Sequence, residues 1–443
     1  METDALIVGA GAAGLYAADC LRRAGISFVV LESQLHAGGR VHSRAEANTH
    51  LGLTLDEGAN LINSTDSLAI KLMHRFDIPY VRRLKPGADS MHYVYEGRAY
   101  DQAEMAKALF TANAAAMEKI ALGRELWRDD DDPANDPRFI NESIASFFAR
   151  IEADGMLETM MRSFFWSEYG RRLEDLNLHV LFDYLVVDGV AKTFGLIPNV
   201  DEAYTVPGGL EQITGALEAQ AREHVRYGRY VTSISDSKTD HITVKANAAG
   251  GVETYQAGVI FFAAPLHSLN KIDVAVEGLS GAALEEARAS TYARGTKLHL
   301  KFNAGFHKLY RYTGILLTDT GEQIWLSSTG QGGAGLLTVL TGPVDTTATA
   351  LDTKVQDLLR MLERIVPGVS EQFAGAERSE APMSYSGALR PGEDGDLEIN
   401  HGGRRWYTIG EAASRELQGY LEGALRSADA ATAAFIRRKQ PGV

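Results

Sequence analysis

The apolar positions of the chain fall into blocks whose period changes along its length. Ala5 to Val8 is an unbroken apolar run, short enough to be a buried strand. Gly9 to Gly25 then reads GAGAAGLYAADCLRRAG, a glycine-rich turn followed by an alanine-rich helix that Gly25 stops. A second apolar run, Ile26 to Leu31, ends at Glu32. From about Asp101 to Phe194 the apolar spacing becomes three and four residues, in MAKALFTANAAAMEKIALGREL and again from Ile144 to Val190, which predicts helices. Between them Asp129 to Asp132, closed by Pro133, reads as a solvated acidic turn. Val206-Pro207-Gly208-Gly209-Leu210 opens another turn and helix, and strand-like runs return at Tyr230 to Ile234, His241 to Lys245 and Ala257 to Ala263. Beyond Thr296, LHLKFN, GILLTDT, QIWLSST and LLTVLTG alternate between Gly-rich turns. Such alternation predicts a mixed or antiparallel sheet with one face in solvent and the helix Thr353 to Ile365 over the other. Trp406 to Ile409 reads as a last strand and Gly419 to Ile436 as a last helix.

The first of these blocks carries chemistry. Strand, turn, helix, strand and terminal acid stand in the order of a dinucleotide-binding βαβ unit. Gly9 permits the tight turn, Gly11 lets backbone approach a pyrophosphate, and Gly14 lets the helix pack close to the strand. Beside Ala13 the helix amino end offers free N–H groups and a positive dipole to phosphates. Glu32, next to Ser33, sits where a carboxylate accepts ribose hydroxyls; no Arg follows it to hold a 2′-phosphate, which favours FAD or NAD over NADP. Gly38-Gly39-Arg40-Val41 brings amides and a guanidinium suited to phosphate oxygens. In LTLDEGANLIN, the small residues after Asp56 suit a close pass of backbone beside a planar ring.

Composition narrows the class. The 443 residues suffice for two or three domains, and 45% hydrophobic content with a mean hydropathy of −0.15 describes a soluble globular chain with a full core. A net charge of −14 argues against nucleic acid and anionic membrane as partners. The single cysteine, Cys20, excludes internal disulfides and fits a reducing compartment; with no spanning apolar run, a cytoplasmic protein is expected, and no metal-ligand spacing stands out.

The closing segment makes the resemblance specific. Tyr407-Thr408-Ile409-Gly410-Glu411 followed by Gly419-Tyr420-Leu421-Glu422-Gly423-Ala424 resembles the carboxyl-terminal signature of the flavin-containing amine oxidases, the monoamine, polyamine and L-amino-acid oxidases among them. Gly38-Gly39-Arg40-Val41, Asp56-Glu57-Gly58-Ala59, the Pro207-Gly208-Gly209 turn and Lys297 extend the resemblance over the whole chain. It implies an α/β fold, with an FAD-binding Rossmann-like (glutathione-reductase-like) domain over 1–79, 205–290 and 385–443. A discontinuous α+β substrate domain, a helical insertion plus mixed sheet, is implied over 80–204 and 291–384.

Carried over, the resemblance implies that Gly9, Gly11, Ala13, Gly14, Glu32 and Ser33 hold the ADP half of FAD, and Gly39 and Arg40 the pyrophosphate. Gly58, Ala59 and Asn60 are implied to line the isoalloxazine by backbone, and Val231 to pair with the adenine through its main chain. Gly410 and Glu411 are implied to meet the phosphates and ribityl chain, while the helix beginning at Leu421 points its amino end at the flavin. Lys297 falls where the family bonds flavin N5 through a water, and Tyr420 matches an aromatic wall beside the ring. The implied reaction is hydride transfer from a small-molecule amine to flavin N5, with hydrolysis of the imine. Reoxidation is implied to use O2, giving H2O2, or an electron-acceptor protein, and a homodimer is one assembly open to the chain.

Departures from the family pattern bear on subclass. Tyr385-Ser386-Gly387-Ala388-Leu389-Arg390 holds no cysteine for covalent attachment, so FAD is expected to be non-covalent. The same stretch places Leu389 or Arg390 where a second aromatic wall is usual. Arg390 keeps an L-amino-acid oxidase open, whereas Leu61 and Asn63 stand where relatives carry a carboxylate-binding Arg and an acid respectively. A desaturase or protoporphyrinogen-type oxidase is the further alternative.

Overall fold

The computed structural model describes the chain apart from residues 1, 48–49, 85–89, 131–135, 154, 197–200, 237–240, 278, 280, 291, 346, 386–404, 415–416 and 441–443. Strand β1 (Glu2–Val8), helix α1 (Ala12–Arg23) and strand β2 (Phe28–Leu31) form the expected βαβ unit, with β1 and β2 parallel. They belong to an eight-stranded sheet in which Val225–Arg226, β2, β1, Gly251–Phe262, Ile242–Ala248, Tyr230–Asp236 and Asp273–Ala275 lie side by side. Trp406–Thr408 joins that sheet by pairing parallel to Gly251–Phe262. The apolar run of β1 is buried on both faces, as a central parallel strand requires: Ala5 and Ile7 pack towards α1, Leu6 and Val8 towards the opposite core.

The final helix, Leu421–Lys439, packs against α1, and its Asp429 accepts a hydrogen bond from Tyr16 Oη at 2.9 Å. At its start the fully buried Glu422 accepts from the Leu68 and Ala69 N–H groups, both at 3.0 Å. That carboxylate caps the amino end of the helix Ser67–Arg75 from the far end of the sequence.

A second, seven-stranded sheet runs Phe373–Tyr385, Tyr292–Phe302, Gly335–Thr341, Glu322–Leu326, Ile315–Thr318, Met91–Tyr95, Arg98–Tyr100. It is antiparallel except where Ile315–Thr318 pairs with Met91–Tyr95. The expected solvated face is absent from its central strands. Leu298, Leu300, Ile324 and Val339 pack under the helix Ala348–Ile365, through Val355, Leu358 and Leu362. Tyr93, Ile315, Leu317 and Trp325 pack under the helical insertion on the other side. Alternation misleads here because polar positions of Tyr292–Phe302 are also buried. His299 bonds Ser379 Oγ at 2.9 Å, and Lys301, 1% exposed, is paired with Glu377 and with Glu46. Glu46 follows the first strand of the hairpin Ser43–Ala45/Thr54–Asp56, whose Arg44 also bonds Glu377 at 2.6 Å.

The insertion is helical where its apolar spacing says so. Ile144–Ile151 is capped by Ser143 Oγ, which accepts from Ser146 N at 3.1 Å, and buries Ile144, Phe147, Phe148 and Ile151. The helices end earlier than expected, however. Leu185–Asp188 and Thr193–Leu196 pair as an antiparallel hairpin. Asp188 Oδ1 accepts from the N–H groups of Val190 and Ala191 (2.8 and 2.7 Å), a carboxylate-stabilised turn, and Val186-Val187 is β-branched, so the segment leaves the helix. Among the described residues no helix is long and apolar enough to cross a membrane.

Candidate active site

The glycine turn between β1 and α1 is shaped by what its Cα hydrogens face. Gly9 has φ +104° and donates to Leu31 O at 2.8 Å, and a Cβ on Gly14 would stand 2.0 Å from the Gly9 carbonyl oxygen. Gly11 is different: a Cβ there would meet nothing within 4 Å. It stands at the N-cap, just before α1, no side chain caps that helix end, and Ala13 is buried in its first turn. The 38–39 turn folds against it, Gly38 N donating to Ala10 O at 2.9 Å and Gly39 turning at φ +60°. Glu32 lies at the end of β2, its Oε2 accepting from Ala10 N at 2.7 Å and its Oε1 from Gln34 N (2.8 Å) and Ser33 Oγ (3.2 Å). Open space at Gly11, an uncapped helix amino end and a fixed carboxylate make a cradle that fits a dinucleotide.

Arg40 and Glu411 come together from opposite ends of the sequence in a fork-to-fork pair, both N···O distances 2.5 Å, with the guanidinium 5.4 Å from the Tyr292 ring centre. Gly410 turns at φ +129° and donates to Ser427 Oγ at 2.9 Å. Gly58 is irreplaceable on steric grounds, since a Cβ would stand 1.8 Å from the Arg40 carbonyl oxygen; Ala59 N donates to the same oxygen at 3.0 Å. Asn60 bridges Asp56 and Trp325: its Nδ2 donates to Asp56 Oδ2 and its Oδ1 accepts from Trp325 Nε1, both at 2.5 Å. Val231 lies in Tyr230–Asp236, paired with Ala246 beside a bulge.

Lys297 reaches into this region from the middle of Tyr292–Phe302. Its Nζ donates to the carbonyls of Gly58 and of Asp56 (the latter at 3.3 Å) and stands 5.6 Å from the Trp325 ring centre. Burial lowers its pKa to about 8, against the opposing pull of Asp56, Glu202 and Glu57. Tyr420 precedes Leu421 at the start of the final helix, and burial drives its phenol well above 10, with the hydroxyl of Tyr184 and the carboxyls of Glu168, Glu202 and Asp66 adding to the rise. Lys297 and Tyr420 therefore share the field of one carboxyl group, Glu202.

Tyr169 belongs to the aromatic face, with Phe164, Phe165 and Trp166, that the sequence offers for core packing or a pocket wall, whereas Glu168 and Tyr184 were not singled out there. Glu168 and Tyr169 end the helix Gly155–Tyr169, and Tyr184 meets Tyr169 edge-on with ring centres 5.6 Å apart. Glu168 Oε1 accepts from Gln323 Nε2 at 2.9 Å, and burial raises its pKa. Burial raises Glu202 and Asp183 to about 7 each. Glu168, Tyr169, Tyr184 and Glu202 are half-buried, whereas Asp183 is exposed. The signal available in the sequence was an acid at the end of an aromatic helix, Phe164-Phe165-Trp166-Ser167-Glu168-Tyr169. Ser386 to Arg390, including the Leu389 and Arg390 positions of the second wall, lie outside the described residues.

The fold and cradle define a dinucleotide-binding protein, and comparison makes the class narrower. Residues 12–436 match the family model of flavin-containing amine oxidoreductases. The chain belongs to that family, whose cofactor is a flavin, and it is an amine-oxidase-type enzyme. It is 24% identical to (S)-6-hydroxynicotine oxidase of Paenarthrobacter nicotinovorans, over 98% of this chain and 99% of that one. Its fold matches cyclohexylamine oxidase from Brevibacterium oxydans (TM-score 0.77, 19% identity, 99% and 100% of the two chains covered). It also matches a putrescine oxidase bound to putrescine (TM-score 0.73, 15% identity, 99% and 100% covered).

Proposed function

We propose that the protein oxidises a small-molecule amine at its C–N bond, giving an imine that hydrolyses to an aldehyde or ketone, with FAD held non-covalently and dioxygen reduced to H2O2. The observation that carries this reading is Lys297: a buried ammonium fixed on the carbonyls of Asp56 and Gly58, in the field that also surrounds Tyr420. Bound FAD supplies the two-electron acceptor for the C–H bond next to nitrogen. Gly9, Gly11, Ala13, Gly14, Glu32 and Ser33 would hold its ADP half and Gly39 with Arg40 its pyrophosphate. Val231 would face the adenine. Gly58, Ala59, Asn60, Gly410, Glu411 and Leu421 would surround the remainder.

The chain's own groups do the rest. The aromatic setting of Tyr169, Tyr184 and Tyr420 would disfavour charge on the reacting nitrogen, and so favour the neutral amine whose lone pair stabilises the developing iminium. Tyr420 orients that amine. Lys297, brought near 8, can hold or release a proton at Nζ close to neutral pH. Residues 1–79, 205–290 and 385–443 would form the nucleotide domain, and 80–204 with 291–384 the substrate domain. Glu168 and Glu202, whose field reaches Tyr420, would disfavour a substrate carboxylate beside it, which sets amine oxidation ahead of amino-acid oxidation. The relatives' names, with 6-hydroxynicotine, putrescine and cyclohexylamine, support amines as a class and leave the member open.

Anaerobic mixing of the purified yellow protein with a panel of amines and amino acids tests this. Bleaching by an amine, with peroxide formed on admitting air, is the expected result. A protein that stays colourless after incubation with FAD, or a flavin that no amine bleaches, would overturn it.

A further inference from the structure

Asp56 carries a carboxyl group whose protonation state its neighbours decide. It is 4% exposed, at the end of the strand Thr54–Asp56, and each hydrogen bond to its carboxyl comes from a donor. Its Oδ1 accepts from Ser43 Oγ at 2.5 Å and from Leu210 N at 2.9 Å, and its Oδ2 from Asn60 Nδ2 at 2.5 Å. Both side-chain donors are held in that sense. Ser43 Oγ accepts from Glu211 N at 3.1 Å, which leaves its hydrogen for Asp56. Asn60 Oδ1 accepts from Trp325 Nε1, and because an indole nitrogen only donates, the Asn60 N–H group must face Asp56. Three donors leave no acceptor for a carboxylic proton, so the group is a carboxylate. Burial pushes its pKa up, and the hydrogen bonds and Lys297 oppose that rise.

A buried carboxylate needs a balancing charge, and no described side chain forms an ion pair with this one. The cation whose field reaches it is Lys297. Lys297 Nζ donates to the Asp56 carbonyl at 3.3 Å and lies 5.6 Å from the Trp325 ring centre. Asp56, Asn60, Trp325 and Lys297 therefore form a closed circuit: carboxylate to amide, amide to indole N–H, indole face to ammonium, ammonium to the Asp56 carbonyl. The other acids acting on Lys297 have cations of their own. Glu57 is paired with Arg44 at 2.6 Å, and Glu202 lies in the field of Arg83. His299, two residues along the same strand, is kept neutral by burial and by the charges of Lys297, Arg44 and Lys301.

We propose that Asp56 is the counter-charge of Lys297, a positioning residue that works through this circuit to hold the ammonium in place and to set the pH at which its proton leaves. This rests on the role given to Lys297 above and deepens it: proton traffic at Nζ answers to a carboxylate enclosed by its own donors.

The first readout needs no turnover. Urea unfolding from about pH 6 to 10 compares the wild type and Asp56→Asn, each with and without Lys297→Met. The stability that the lysine regains as pH rises should begin to return about one pH unit lower in the Asp56→Asn background. In Asp56→Asn/Asn60→Asp the amide and the carboxylate exchange places, each bond of the circuit keeps a donor and an acceptor, and the shift should shrink. The second readout is stopped-flow flavin reduction and reoxidation against pH in the holoenzyme. The inflection that Lys297→Met abolishes should move down by about one unit in Asp56→Asn and return in part in the exchange variant. Trp325→Phe keeps an aromatic face without the indole N–H; it should shift both readouts in the same direction by less, and carries the test if Asp56→Asn fails to fold. A purely structural role lowers stability alike with and without the lysine, at every pH. That result, or an inflection that stays in place in Asp56→Asn and Trp325→Phe, overturns the proposal. Failure of every amine to bleach the flavin overturns the amine-oxidase reading instead and leaves the unfolding comparison intact, so the two failures are separable.

Discussion

Lys297→Met separates what the lysine does for the fold from what it does for the reaction. Burial takes the ammonium from 10.5 down to about 8, so its charged form is disfavoured by about 3 kcal/mol relative to the neutral one. Methionine removes that penalty, but it also orphans the carbonyls of Gly58 and Asp56, at about 1–3 kcal/mol for each buried acceptor left bare. The two effects oppose each other, and urea unfolding at pH 7 should place the variant within about 2 kcal/mol of the wild type. The pH dependence has a definite sign. The folded pKa lies below the unfolded one, so the burial penalty is present in full below pH about 8 and is relieved as pH rises from there towards 10.5. Wild-type stability relative to the variant should therefore increase by up to about 3 kcal/mol across that window. A difference that does not change with pH would refute burial as the cause. Turnover should fall by about two to four orders of magnitude while the flavin spectrum is retained. Stopped-flow measurement of reduction by amine and reoxidation by O2 checks this, and wild-type rates in both halves would remove Lys297 from the chemistry.

The remaining predictions concern the cofactor cradle. Gly11→Ala should leave the stability of the flavin-free protein within about 1 kcal/mol of the wild type, because the new methyl meets nothing within 4 Å. It should nonetheless weaken flavin retention about tenfold or more in equilibrium dialysis, since the methyl enters the phosphate space. Gly14→Ala, whose Cβ would stand 2.0 Å from Gly9 O, should instead depress soluble yield and thermal midpoint. Arg40→Met should cost about 3–5 kcal/mol by stranding the buried Glu411. The double variant Arg40→Met/Glu411→Met should recover stability without recovering flavin, read by denaturation and absorbance together. Acid precipitation should release all flavin to the supernatant; colour left in the pellet contradicts non-covalent binding.

What was readable in the chain divides by range. The β1–α1–β2 unit was legible because its determinants lie in one short stretch: Gly14 answers to the Gly9 carbonyl just before it, Gly9 turns at φ +104°, and Glu32 lies at the end of the very next strand. Lys297 was legible through the family resemblance, whereas its partners, the carbonyls of Asp56 and Gly58, were not. Glu202 was not legible at all. Its conformation depends on Asn63 and Arg83, 139 and 119 residues away, and nothing local to Asp201-Glu202-Ala203 announces a left-handed backbone. The solvated face assigned to the second sheet failed for a related reason. Alternation reports polarity, and His299 and Lys301 are polar positions satisfied inside the protein by Ser379, Glu46 and Glu377. Beyond the helix Leu178–Tyr184 the insertion turns to a hairpin that Asp188 closes through bonds to the N–H groups just after it, a signal that apolar spacing does not contain.

The placement of Trp406–Thr408 and of the final helix has a consequence for how the molecule is made. A segment made early is completed by one made about 400 residues later: Trp406–Thr408 aligns beside Gly251–Phe262, Asp429 receives Tyr16, and Lys439 pairs with Asp4. Synthesis at about 5–20 residues per second leaves β1 and α1 waiting tens of seconds for these partners. During that interval the glycine turn exists without the walls that enclose it. Loading of the cofactor is therefore expected as a late event of biogenesis, and nascent chains stalled before residue 406 should be protease-sensitive and colourless.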